Sequence, residues 1–188
     1  MNKNILIAVL ALAGGGWYLH SRGGVSTGTV NAEGVYSDSA KGFALSFPGG
    51  WKKAEEKDIS PENGFTFRPP ESDRKSSLVM VGPGPDKAVV FLRQTKQAEA
   101  DMKTFAVKSL RGLHAAGVMG TAYREGAAEG RRLPRIKADN VTPAGGLFHV
   151  TFFPAGGSVF MLISVGEKGF SPNLLEQFEW IADSARRI

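Results

Sequence analysis

The sequence predicts an α+β fold with a mostly antiparallel sheet, preceded by an apolar N-terminal segment. Three observations predict this class. Several short segments alternate apolar and polar residues, which is the spacing of a half-buried strand. Two of them, residues 147–153 and 158–165, are separated by Pro154-Ala155-Gly156-Gly157, which predicts a hairpin. Two longer stretches have the 3.6-residue periodicity of an amphipathic helix.

The hairpin is the clearest strand pair. One side of its first strand carries Phe148, Val150 and Phe152, and the other carries Leu147, His149, Thr151 and Phe153. Because both sides hold apolar residues, we expect both faces of the sheet to be at least partly covered. Further strands are predicted at residues 42–47, 77–81, 88–93, 118–125 and 131–138.

Helical spacing predicts two helices. The first covers residues 98–113, with Met102, Phe105 and Leu110 on one face. The second begins with Ser171 as N-cap and Pro172 at the first helical position, and its apolar stripe continues to Ile188. This spacing puts Arg186 and Arg187 in the last turn, where they complement the helix dipole.

The N-terminus has the features of a membrane-targeting segment. Residues 1–20 place Lys3 before an uncharged apolar run from residue 5 to 19, which indicates a signal anchor or a signal peptide. As a helix the run would be about 22 Å long, somewhat short for a bilayer core of about 30 Å. Trp17, Tyr18 and Arg22 suit a membrane interface. Cleavage after Ala11-Leu12-Ala13 is the alternative, and we favour the retained anchor.

A flexible linker is predicted at residues 21–34, which are small, polar and aperiodic, and a globular domain at 35–188. The chain has no cysteine and three histidines, which excludes disulfide frameworks, thiolate zinc sites and cysteine nucleophiles. Its net charge of +5 is uneven: residues 103–137 carry +6. The remaining body is mildly acidic, which argues against a nucleic-acid-binding surface.

The opening of the globular domain resembles the PsbP-like family. That family often begins with a Gly-Phe-x-hydrophobic-Ser-Phe-Pro-x-x-Trp strand, which stands here as Gly42-Phe43-Ala44-Leu45-Ser46-Phe47-Pro48-Gly49-Gly50-Trp51. The resemblance extends over residues 35–188 as an order of elements. It implies an αβα sandwich around a central antiparallel sheet, export to the periplasm or thylakoid lumen, and a non-catalytic accessory role on membrane complexes.

The most functional-looking feature is the basic segment 131–137. In an extended chain Arg131, Arg135 and Lys137 point the same way as Leu133. We therefore take Arg131, Arg132, Arg135 and Lys137 as docking contacts for an acidic partner or anionic lipid head groups. The alternative is a solvated edge strand that cations and Pro134 protect from aggregation.

The other candidate residues indicate no catalytic or metal-binding site. His149 lies in mid-strand without a nearby acid in sequence, and His114 follows a basic helix end. Glu55, Glu56 and Asp58 are mixed with lysines and lack the spacing of a calcium loop. We therefore expect no catalytic residues, no metal and no cofactor.

These observations together predict an exported, membrane-tethered, non-enzymatic accessory or assembly protein. It would dock on an envelope membrane complex at the periplasmic, or equivalent extracytoplasmic, face. The partner would be a membrane protein complex or an acidic protein, with the membrane itself contacted through the N-terminal segment. A small-molecule or lipid-binding periplasmic protein, with its ligand between sheet and helix, is the second hypothesis. A hydrolase is the third.

Overall fold

The structure is a computed structural model that describes residues 28–65, 78–115, 117–120, 122–142 and 144–188. Its strands are β1 (Thr29–Val30), β2 (Val35–Asp38), β3 (Phe43–Ser46), β4 (Lys52–Lys53), β5 (Val79–Val81), β6 (Ala88–Ala98), β7 (Arg124–Gly126), β8 (Arg135–Val141), β9 (Leu147–Ala155), β10 (Ser158–Gly166) and β11 (Arg186–Arg187). Its α-helices are α1 (Met102–Ala115) and α2 (Asn173–Asp183). Two antiparallel sheets and two helices confirm the α+β class.

The larger sheet has seven strands in the order β4-β5-β6-β10-β9-β8-β7. Its centre is the predicted hairpin, in which β9 and β10 pair through all nine positions of each strand. Gly156 and Gly157 form the turn with φ angles of 54° and 77°, which favour glycine. Every residue of β9 is buried, so the prediction that both faces are covered is confirmed.

Each face of this sheet packs against a separate core. Phe148, Val150 and Phe152 lie in the core that includes α1. Leu147 and Phe153 lie in the core beneath α2, which also holds residues of the second sheet. The alternation of side chains along β9 therefore puts the two helices on opposite faces of the large sheet.

The second sheet is small, with the order β1-β2-β3-β11. It contains the strand predicted at residues 42–47, and Phe43, Leu45, Phe47 and Trp51 all enter the α2-side core. Trp51 donates from Nε1 to Gln177 Oε1 of α2 at 2.9 Å. This sheet therefore packs beside α2 through the motif residues.

The C-terminal end differs from the sequence prediction. Helix α2 ends at Asp183, and Arg186–Arg187 form β11, which pairs with β3. Ser171 does not cap the helix with its side chain; its backbone N–H and Oγ bind Asp86 at 2.7 and 2.6 Å. The predicted last turn is wrong: Ala185 is buried but Ile188 is 57% exposed, so the two residues do not continue the apolar stripe of α2.

Three further predictions are corrected. A strand beginning at Val118 is wrong, because Val118 lies in a turn after α1 and its N–H donates to Leu113 O. The predicted strand 131–138 begins later, at Arg135. Residues 28–34 of the predicted linker belong to the fold, since Thr29 pairs with Ser37.

The predicted N-terminal membrane segment lies outside the described residues. Among the helices of the described residues, none combines the length and the hydrophobicity of a transmembrane span.

Candidate functional site

Four arginines from distant parts of the sequence meet at one edge of the small sheet. Arg132 and Arg186 form an antiparallel β-bridge. On either side of that bridge, Leu133 N donates to Ala185 O at 2.9 Å and Arg187 N donates to Arg131 O at 2.8 Å. We call the set Arg131, Arg132, Arg186 and Arg187 the arginine edge.

The arginine edge is open to solvent. Arg131, Arg132 and Arg187 are exposed, and Arg186 is half-buried. Arg186 donates to Ser46 Oγ at 2.8 Å and to Ser184 O at 3.3 Å, which fixes its guanidinium group beside the end of α2. Among the described residues, the carboxylate paired with this edge is Glu129, 4.0 Å from Arg132 and itself 84% exposed. So loose a pair compensates little of the positive charge.

Arg135 and Lys137 lie elsewhere, although they belong to the same basic segment. Their side chains are each 10% exposed and face α2, as Leu133 does. Arg135 Nε contacts Asp183 Oδ1 at 2.6 Å, and Lys137 Nζ contacts Asp183 Oδ1 at 2.8 Å. Lys137 also binds Glu179. Of the four proposed docking contacts, only Arg131 and Arg132 are therefore accessible to a partner.

These ion pairs belong to a larger cluster between the sheet and α2. Arg124 of β7 binds both Asp139 of β8 and Glu179 of α2. His149 Nε2 of β9 lies 3.5 Å from Glu179 Oε1. The sequence spacing of Glu179 and Asp183 puts both carboxylates on one flank of the helix, above these cations. We call Arg124, Arg135, Lys137, Asp139, His149, Glu179 and Asp183 the ionic cluster.

Electrostatics stabilise the charged forms in the cluster. Burial disfavours the Glu179 carboxylate, but its contacts with His149 and Lys137 outweigh burial and lower the pKa of Glu179 far below its ordinary value. Burial likewise opposes ionisation of Asp183, and Lys137 and Arg135 nevertheless lower the pKa of Asp183. The hydrogen bond to Asp139 raises the pKa of Arg124. Three fixed cations thus meet three carboxylates.

In and beside the ionic cluster, several buried polar atoms have no hydrogen-bond partner among the described residues, and His149 Nε2 among them has only its 3.5 Å ionic contact with Glu179 Oε1. They are His149 Nδ1 and Nε2, Thr151 Oγ1 and Ser164 Oγ. His149 pairs in register with Asp139 on one side and Ser164 on the other. Sequence reasoning missed this arrangement, because the acids near His149 come from other strands and from α2.

Serine, histidine and aspartate side by side invite comparison with a hydrolytic triad. Ser164 Oγ, however, makes no hydrogen bond to His149. Both side chains are 0% exposed beneath α2. In this conformation the set lacks both the nucleophile–base bond and the substrate access that hydrolysis requires.

A cleft of about 300 Å³ opens near the end of α1. It is lined by Val107, Leu110, Arg111, His114, Gly120 and Tyr123. His114 Nδ1 lies 3.0 Å from Met119 O, and a carbonyl oxygen only accepts, so Nδ1 carries the proton. The cleft combines an apolar wall with one arginine and one imidazole.

The remaining candidates stay apart from these sites. Glu55 pairs with Lys57 at 2.7 Å, and Asp58 with Lys52 at 3.3 Å, which leaves an exposed mixed-charge turn. No group of three or more metal-ligating side chains is found in the described ranges. Trp17, Tyr18 and Arg22 lie outside the described residues.

Comparison with known proteins leaves the family open. No protein-family model matches the chain, and no curated protein matches it. A crystal structure from Bacteroides thetaiotaomicron is 13% identical at a TM-score of 0.39, covering 78% of this chain and 45% of that one. LpqN of Mycobacterium tuberculosis, described as involved in cell envelope biogenesis, is 12% identical at a TM-score of 0.38, covering 77% of this chain and 82% of that one.

The chain thus spans about 45% of the length of the Bacteroides protein. With TM-scores of 0.39 and 0.38, neither likeness carries an argument about function.

Proposed function

We propose that this chain is an exported, membrane-tethered, non-enzymatic accessory or assembly protein. It docks on a membrane complex of the cell envelope, from the periplasmic or equivalent extracytoplasmic side. Export and tethering rest on the apolar run at residues 5–19, with Trp17, Tyr18 and Arg22 at its interface end.

The arginine edge is the observation that carries the docking role. Arg135 and Lys137 have internal acidic partners, so their charges are compensated within the fold. Arg131, Arg132 and Arg187 are exposed and converge on one edge. Like charges held together repel one another, so an acidic surface that meets them is strongly favoured.

Cross-linking in intact membranes, followed by purification of the full chain, tests this proposal. Arg131→Glu with Arg132→Glu should reduce recovery of the complex at least ten-fold. The matched control, Lys53→Glu with Lys96→Glu, reverses two exposed charges elsewhere and should leave recovery unchanged. Equal recovery with both double variants would refute docking through this edge.

We also propose membership of the PsbP-like family, with its αβα arrangement. The motif residues Phe43, Leu45 and Trp51 support it, because they all fill the core between the small sheet and α2. A family alignment in which these positions stay apolar or aromatic would strengthen the proposal. Polar residues there in the nearest relatives would count against it.

The second candidate function is small-molecule binding, and the cleft beside α1 favours it. Arg111 and His114 offer polar contacts, while Val107 and Leu110 offer an apolar wall. Native mass spectrometry of the full chain should then reveal a bound molecule that Leu110→Trp displaces. A mass equal to that of the bare chain would argue against this candidate.

A further inference from the structure

We propose that the arginine edge binds the anionic head groups of the bilayer to which the chain is tethered. The domain then lies with its small sheet toward the lipid. This inference rests on the proposed function for the membrane tether alone. The acidic surface that the four arginines meet is then the layer of lipid head groups.

The topology brings the tether and the arginine edge to the same small sheet. β1 is the first described strand, and it forms one edge of the order β1-β2-β3-β11. Arg132 follows β11 through its bridge to Arg186. At about 4.8 Å per strand, β1 and β11 lie about 15 Å apart.

The length of chain before β1 keeps this sheet close to the membrane. Eight residues, 20–27, separate the predicted apolar segment from Gly28. Eight residues span at most about 27 Å when fully extended. The small sheet is therefore the described part of the fold that follows the predicted tether most directly, within that reach of the lipid.

Exposed apolar side chains flank the arginines. Ile188, next to Arg187, is 57% exposed, and Trp180 of α2 is 51% exposed. Trp180 lies one helical turn before Ser184, whose carbonyl accepts from Arg186. Arginine mixed with tryptophan and isoleucine matches a lipid interface, where aromatic rings lie at head-group level and cations meet phosphate.

An acidic protein would complement only the positive charges of the arginine edge. The lipid is favoured because the tether keeps it at high effective concentration beside the edge. Each arginine near an anionic surface favours the docked state by about five-fold, so three exposed arginines favour it by about 100-fold.

Site-specific labelling of the full chain tests the proposal directly. Because the chain contains no cysteine, Ile188→Cys and Lys108→Cys each give a single label site. Lys108 lies on α1, on the opposite face of the large sheet. The labelled chains are reconstituted into vesicles of phosphatidylcholine alone, or with 30% phosphatidylglycerol, that carry a shallow lipid-bound quencher.

We expect quenching at position 188 to exceed quenching at 108 at least three-fold, in the phosphatidylglycerol vesicles only. High salt should abolish the excess, as should Arg131→Glu, Arg132→Glu and Arg187→Glu combined. The matched control, Lys53→Glu, Lys96→Glu and Lys108→Glu in the Ile188→Cys chain, should retain it. Thermal unfolding of each variant establishes that the fold is intact.

Equal quenching at the two positions, or an excess that survives the arginine reversals, would overturn lipid binding. If the excess is missing while cross-linking to a complex still depends on Arg131 and Arg132, the edge binds protein and the proposed function stands. If the excess is present and no complex is recovered, the accessory role fails and the lipid contact remains.

Discussion

Lys137 Nζ lies 2.8 Å from Asp183 Oδ1, so a strand ammonium group holds the last turn of α2. The same group binds Glu179, one turn earlier. Helix α2 is thus fixed to the large sheet in two ways, by an apolar face on one side and by the ionic cluster on its acidic flank.

Lys137→Met should destabilise the fold by about 2 kcal/mol, because it leaves two partly buried carboxylates short of a cation. Urea unfolding at neutral pH measures this. Lys108→Met, at an exposed position of α1, is the control and should change the free energy of unfolding little. Equal stability of the two variants would show that the cluster contributes nothing net.

The stability of the protein should fall in acid because of Glu179 and Asp183. Both carboxyls have a pKa in the folded state below their ordinary values of 4.5 and 3.8. The unfolded chain therefore binds protons first, so the stabilisation is fully present above about pH 5 and is lost as the pH falls through the folded-state pKa values.

Glu179→Gln should lower stability at pH 7 and flatten this acid dependence. Glu176→Gln, on the exposed face of the same helix, should leave the pH profile as it is. The measurement is the free energy of unfolding in urea between pH 7 and pH 3. A wild-type profile that stays flat over that range would contradict the assignment.

Ser164→Ala should leave stability unchanged or raise it by up to about 1 kcal/mol, since Ser164 Oγ is buried with no partner among the described residues. Thr95→Val is the contrast, because Thr95 Oγ1 donates to Val159 O at 2.8 Å in the buried part of β6. That variant should lose about 1 kcal/mol. Calorimetry measures the stability of both variants. A clear loss of stability in Ser164→Ala would reveal that Ser164 Oγ makes a hydrogen bond, for example to ordered water.

Gly112→Ala should stabilise the protein by about 0.5–1 kcal/mol, because glycine is unfavourable inside a helix. Gly112 lies within α1, and an added Cβ meets none of the described residues within 4 Å. Gly166→Ala should act in the opposite direction, since its Cβ would lie 2.4 Å from Leu174 Cδ2 in the core. Urea midpoints of the two variants should move to opposite sides of the wild-type value.

Several elements that depend on residues close together in sequence were predicted correctly. The β9–β10 hairpin was predictable because alternation and a glycine turn lie together in sequence. Phe43 and Leu45 were predictable as one strand face for the same reason. Helix α1 followed from its periodicity, with its bounds shifted to Met102–Ala115.

The candidate sites depended on pairings that no local pattern contains. Arg135 and Lys137 were expected at the surface because they are charged, and their burial is possible only because α2 brings Glu179 and Asp183 to them. The four-residue spacing of Glu179 and Asp183 indicates that they share one flank of a helix, but it does not indicate which cations contact them. Arg186 and Arg187 were assigned to a helix, so their meeting with Arg131 and Arg132 was missed.

The pairing of β11 with β3 has a consequence for how the chain matures. Because β3 and β11 lie near opposite ends of the described domain, their pairing closes a loop that spans most of it and is among the last contacts to form. A nascent chain emerging from the ribosome leaves the β3 edge unpaired until β11 has been synthesised. Chaperone dependence and premature aggregation should therefore concentrate in that interval.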